Sequence, residues 1–187
     1  MVGKIVQKVY ASRLKARNIF IHIEMAKISI VGKLTRVVDA EKITIDELAG
    51  NVASNDDRIS IALVNAKADS AEPWLIHHYD QWICVQEGEL KIEWENNGEL
   101  TTVMIPSGEA VFIQSGTKFR PSFPNVDTKY IPVCMPAFKP DRCERFDDDE
   151  EGKKIKENLK KLHGTDNAEK SEFKDAVTSI IVLAMHQ

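Results

Sequence analysis

Between residues 26 and about 140, apolar and polar positions alternate with a period of two. Ile28 and Ile30 open the pattern, and Ile43 with Ile45, then Ile59, Ile61 and Leu63, continue it. Successive side chains of a strand point to opposite faces, so such runs bury one face and wet the other. Leu90, Ile92 and Trp94 repeat the period and lead into Asn96-Asn97-Gly98. That triplet predicts a hairpin turn, because asparagine and glycine tolerate positive φ. Thr101 to Ile105 is the return strand. Pro106-Ser107-Gly108 and Ser115-Gly116-Thr117 turn the chain twice more, with a strand from Ala110 to Gln114 between them. Tyr130 to Met135 is the last strand. Short strands with turns about every ten residues predict an all-β sandwich or barrel, not a doubly wound sheet.

After residue 146 the period changes. Asp147 to Glu151 form an acidic run, followed by Lys153, Lys154, Lys156, Lys160 and Lys161, an order that suits the two ends of a helix dipole. Ile155, Leu159 and Leu162 fall on one helical face, with Gly164 as the stop. A second helix starts near Thr165 or Asp166, with Phe173, Val177, Ile180, Ile181 and Ala184 as its stripe. Both are expected to pack on the β domain or to pair subunits. The first 24 residues also stand apart: Lys4, Lys8, Arg13, Lys15 and Arg17 face only Glu24, a local charge of +4 that leaves −8 on the rest. They read as an organelle transit peptide, as an extension ahead of a second start at Met25, or as an ordinary terminal element. The plan is thus a basic leader at 1–24, a β-barrel at 25–146 and a helical extension at 147–187.

Composition narrows the setting. The 187 residues suit one domain, and 43% hydrophobic with 29% charged residues permit a sizeable core. A net charge of −4 argues against a nucleic-acid partner. No apolar run reaches membrane-spanning length, so no membrane partner is expected. The three cysteines are too few for a disulfide scaffold or a four-ligand zinc site, which fits a cytoplasmic protein, or a mitochondrial or other organellar one if the leader is a transit peptide. Cys84 and Cys134 sit in apolar strands and read as buried thiols, whereas Cys143 lies among charges and is expected at the surface. Neither a phosphate-binding loop nor a nucleophile elbow is present.

The most informative stretch runs from Pro73 to Phe138. It holds Pro73-Trp74-Leu75-Ile76-His77-His78-Tyr79-Asp80-Gln81, then Glu87-Gly88-Glu89-Leu90, and later Pro106 to Thr117 with Gly108 and Gly116. These segments resemble the two sequence boxes of the cupin superfamily, a double-stranded β-helix or jelly roll. The resemblance places Gln81 where the family carries a metal-binding glutamate. Leu75 and His77 fall at the paired histidines, and Phe119 at the histidine of the second box. Trp74, Tyr79-Asp80, Phe112-Ile113, Tyr130 and Pro136-Ala137 resemble more closely the EutQ-type, ethanolamine-utilisation branch, which likewise lacks the full histidine set. The likeness covers roughly residues 35–140. Gln81 departs from that branch's acid.

Of four implied metal ligands only His77 remains, so no cofactor is expected; a divalent metal would have His77 and little else. Adjacent His78 points to the opposite face, the surface. Alternation sends Leu75, His77, Tyr79 and Gln81 inward, and Asp80, Phe112, Gln114 and Phe119 complete the expected ligand pocket. Arg120 faces out on the same alternation. Three function classes stay open. The first is a metal-poor cupin binding a small metabolite. The second is an enzyme, an isomerase, lyase or acetate-kinase-like EutQ protein, using His77 and Tyr79 as acid–base groups with Gln81 orienting substrate. The third is an assembly protein with a filled interior. The resemblance also implies a homodimer, with Lys27 to Val38 as an exchanged strand.

Overall fold

A computed structural model describes residues 28–96, 98–146 and 150–164. The chain divides into two units, Met1–Ile30 and Val31–Gln187. Of the first, only residues 28–30 are described, a stretch without strand pairing in which Ile28 and Ile30 are fully exposed. The strand expected there is therefore absent. The leader expected at 1–24 lies outside the described residues.

Twelve strands make up the described part of the second unit. They are β1 (Thr35–Asp39), β2 (Ile43–Ala49), β3 (Ser60–Ala66), β4 (Ser70–Ala71), β5 (Leu75–His77), β6 (Asp80–Glu87), β7 (Glu89–Asn96), β8 (Glu99–Pro106), β9 (Ala110–Ile113), β10 (Lys118–Phe123), β11 (Thr128–Met135) and β12 (Cys143–Arg145). One helix, α1 (Glu150–Leu162), follows. The strands form two antiparallel six-stranded sheets. One runs β1-β2-β3-β11-β6-β9; the other runs β12-β5-β10-β7-β8, with β4 added on β10. The closed barrel expected from the sequence is not formed: the sheets keep open edges at β1, β9, β12 and β8, and the architecture is a jelly-roll sandwich.

The core lies where the two inner faces meet. Val64, Ile83, Val85 and Tyr130 come from one sheet, and Leu90, Ile92, Ile105, Phe119 and Phe123 from the other. Strand parity governs which face each residue takes. Along β6, Gln81, Ile83 and Val85 are buried, so Trp82 and Cys84 must point out. Cys84 is exposed and not the buried thiol expected from its apolar neighbours, while Cys134 is buried as expected. Cys143, expected at the surface, is half-buried on β12.

The helix is present and its last turn runs into Gly164, whose φ of 68° is the left-handed stop. Its buried residues are Gly152 and Leu159, and Leu162 is 45% exposed, outside the stripe expected for it. Ile155 and Leu159 border the space between the sheets, so α1 covers it on one side. The second C-terminal helix falls outside the described residues. Among the described residues no helix is long and apolar enough to cross a membrane.

Candidate functional site

A cavity of about 510 Å³ lies between the sheets beneath α1. The period-two pattern of β5 and β6 aims side chains into it. Leu75, His77, Tyr79 and Gln81 all line it and are all buried, and Phe119 on β10 reaches it from the strand paired with β5. These are the residues that alternation sends inward. Neighbouring His78 takes the other face, where its Nε2 lies 2.7 Å from Glu144 at the surface.

Three of the expected pocket residues are elsewhere. Asp80 turns away from Gln81, and its Oδ1 accepts a hydrogen bond of 3.0 Å from the Ser115 amide, fixing the turn after β9. Phe112 is 50% exposed and tilts against Trp82 on the outer face, with ring centroids 4.9 Å apart. Strand β9 presents Ile113 inward, and the same parity carries Phe112 out. Gln114 follows the end of that strand and is exposed.

The polar groups of the cavity form a linked row. His77 Nδ1 lies 3.1 Å from Gln81 Oε1. A carbonyl only accepts, so Nδ1 carries the ring proton and Nε2 is the ring's acceptor. Gln81 Nε2 donates to Cys134 Sγ at 3.8 Å, and Cys134 stands in register with Gln81 on one side and Ser60 on the other. The His77 ring stacks on Tyr79 at 4.5 Å and meets the Phe119 ring edge-on at 4.9 Å.

Burial sets the charge of this row. It pushes the His77 imidazole down to about 3, helped by nearby Arg145 and His78 and opposed by the bond to Gln81. Burial drives the Tyr79 phenol well above its ordinary value and the Cys134 thiol up to about 11. All three are neutral near pH 7.

The cavity border also holds residues outside the metal-ligand positions of the motif. Trp74 and Arg120 line it, with the guanidinium carbon 5.5 Å from the indole centroid, and Arg120 is held by Glu93 at 2.6 Å. Arg120 thus borders the cavity despite its outward parity. Arg145 pairs with Glu72 at 3.8 Å. Glu47 and Ser60 line the cavity too. Glu47 was within reach of the sequence pattern, since it continues the Ile43, Ile45 parity; nothing in the sequence marks Arg145 or α1 as cavity neighbours.

A metal, which the fold implies, has little to bind here. Leu75, His77, Gln81 and Phe119 converge as the motif requires, but two are hydrocarbon, one is an amide, and the single imidazole is hydrogen-bonded to that amide. Among the described residues no group of three or more histidine, cysteine or acidic side chains is placed to hold a metal ion. The donor set does not fit a resident metal.

No protein-family model matches the chain, and no curated protein matches it by sequence. Solved structures do. An ethanolamine utilisation protein Q from Salmonella typhimurium is 22% identical, with a TM-score of 0.43 over 51% of this chain and 71% of that one. EutQ of Clostridium difficile is 26% identical, with a TM-score of 0.43 over 51% of this chain and 63% of that one. Oxalate decarboxylase of Bacillus subtilis is 9% identical, with a TM-score of 0.57 over 67% of this chain and 34% of that one. The chain spans about a third of the decarboxylase, whose likeness at that identity is one of fold. Two facing antiparallel sheets in jelly-roll order give this chain the jelly-roll fold that it shares with the decarboxylase.

Proposed function

We propose that this chain binds a small organic molecule between its sheets, through neutral hydrogen-bonding groups and without a metal. The observation that carries the reading is the cavity of about 510 Å³ with His77, Tyr79 and Gln81 aimed into it. Its size is that of metabolite sites, and its mainly apolar walls with a few convergent polar groups are their usual composition. His77 and Gln81 offer acceptors and donors to a carbonyl, hydroxyl or ring nitrogen, and Phe119 and Leu75 take the apolar remainder.

Turnover is the weaker reading. A general acid or base works best with a pKa near the operating pH. Burial moves His77 down and Tyr79 up, both away from neutrality. An isomerase, lyase or acetate-kinase-like activity therefore rests on family resemblance alone.

The test is a native mass spectrum of the full chain together with elemental analysis. An organic adduct released on denaturation, without near-stoichiometric zinc, iron, manganese or nickel, is the expected result. A stoichiometric metal overturns the reading and moves the enzyme ahead. His77→Ala and Tyr79→Phe should each weaken retention of the adduct while leaving the domain folded. We take the protein as a cytoplasmic homodimer, and light scattering that finds only monomer removes the dimer.

A further inference from the structure

Glu47 is a buried carboxylate with no basic partner among the described residues. It shares the inner face of β2 with Ile43 and Ile45, is 3% exposed and lines the same cavity. Its Oε1 accepts two backbone hydrogen bonds, from Val52 at 2.8 Å and Ala53 at 2.7 Å. The loop wraps it so closely that a Cβ on Gly50 would stand 2.7 Å from the carboxyl carbon. Its other oxygen, Oε2, has no hydrogen bond among the described residues, and no lysine, arginine or histidine there forms an ion pair with Glu47.

The neighbours do not balance this charge. Cys134, which feels the Glu47 charge, is a neutral thiol. Tyr79 and His77 are neutral as well. Of the cations that border the cavity, Arg120 pairs with Glu93 and Arg145 with Glu72, while Lys42 is exposed to solvent and forms no ion pair with Glu47. Glu47 therefore faces this largely apolar space without an ion-pair partner among the described residues.

We propose that Glu47 sets the charge of the ligand: the cavity takes a small organic cation, an ammonium on an apolar body, in preference to its neutral or anionic isosteres. This rests on the binding reading above and names the ligand class within it. An ionised carboxylate out of water is costly without a counter-charge, and an ammonium supplies that charge with three donors for Oε2. Tyr79 and Phe138, edge to face with centroids 6.3 Å apart, line the cavity wall and give the apolar body its aromatic contact.

The experiment titrates the full-length protein with three probes of one shape, benzylamine, benzyl alcohol and benzoate, followed by ligand-observed NMR. Benzylamine should bind about tenfold more tightly than either isostere, the scale of one charge-assisted contact. Glu47→Gln keeps an acceptor for the two amides and should bring the three probes to within about twofold of one another. Wild-type protein supplies a check that needs no variant: burial raises the Glu47 pKa above the ordinary carboxylate value, so the amine preference should fall as pH is lowered and the carboxylate takes up a proton. Equal binding of the alcohol or benzoate, or a preference that survives Glu47→Gln and acid, overturns the assignment and leaves the cavity standing as a binding site. Failure of all three probes, with no adduct in the native spectrum, overturns both readings.

Discussion

At Gly88, between β6 and β7, the chain turns with φ of 79° against the Thr128 backbone. A Cβ there would stand 2.5 Å from the Asp127 carbonyl oxygen and 2.7 Å from Thr128 Oγ1. That hydroxyl is wholly buried and donates to the Glu89 carbonyl at 2.8 Å, so nothing there yields cheaply. Gly88→Ala should cost about 3 kcal/mol or more in urea unfolding, from strain plus collision. Gly108→Ala shares the positive φ but meets nothing within 4 Å, and should cost only about 1 kcal/mol. Equal losses at the two sites would refute the close approach. His77 allows a second prediction, with a definite sign. Its folded pKa is about 3 against an ordinary 6.5, so between those values the unfolded chain takes up a proton that the folded one refuses. Stability from this residue is present above pH 6.5 and lost as pH falls toward 3, about 5 kcal/mol in all. His77→Phe keeps a ring against Tyr79 and Phe119 and should flatten that part of the pH profile. An unchanged slope, or an imidazole that titrates near 6.5 by NMR, would remove the buried neutral histidine.

Strands of this domain were readable in the sequence because each carries one wet and one dry face. The alternation of Leu75, His77, Tyr79, Gln81, Ile83 and Val85 places six residues correctly. It misleads where a local pattern lacks a neighbour: Ile28 and Ile30 alternate as a strand does, yet have no pairing partner among the described residues. Composition misleads in another way at Cys84, where apolar neighbours in sequence lie on the opposite face. Helix α1 was legible in its extent but not in its rotation. At roughly 100° per residue, Gly152, Leu159 and His163 lie within about 40° of one another, and Leu162 is about 60° beyond Leu159. Packing is centred on that first trio, where Gly152 is buried and His163 lies edge-on to Phe138 at 5.4 Å. A hydrophobicity stripe gives no weight to a glycine or a histidine, so it is drawn too far toward Leu162. Leu159→Ala should therefore destabilise by about 2–3 kcal/mol and Leu162→Ala by less than about 1 kcal/mol. Thermal melts showing equal losses would return the helix to the rotation expected from its leucines.

The whole molecule keeps a frame and changes what the frame holds. Two sheets bring β5, β6 and β10 together so that Leu75 and Phe119 are in register, His77 touches Phe119, and His77 bonds Gln81. The frame was legible because glycine turns and strand parity are local signals. Arg145 and α1 carry no such signal, because they reach the cavity through contacts distant in sequence. Fold and chemistry separate here: the same convergence that suits a metal when imidazoles occupy it gives a neutral polar row when leucine, glutamine and phenylalanine do. The separation predicts a gain of function. Leu75→His, Gln81→Glu and Phe119→His together would set three imidazoles and a carboxylate around one point, a donor set suited to divalent transition metals. The triple variant should be less stable than the native chain without metal, since polar groups replace packed hydrocarbon. It should regain thermal stability on adding cobalt(II), and the bound ion should show visible absorption of ligand-field type, whereas the native chain should show neither. The regain follows from linkage, because a ligand that binds only the folded state raises its stability. A variant that folds, as judged by circular dichroism, yet takes up no cobalt would mean that the four positions do not converge on one point.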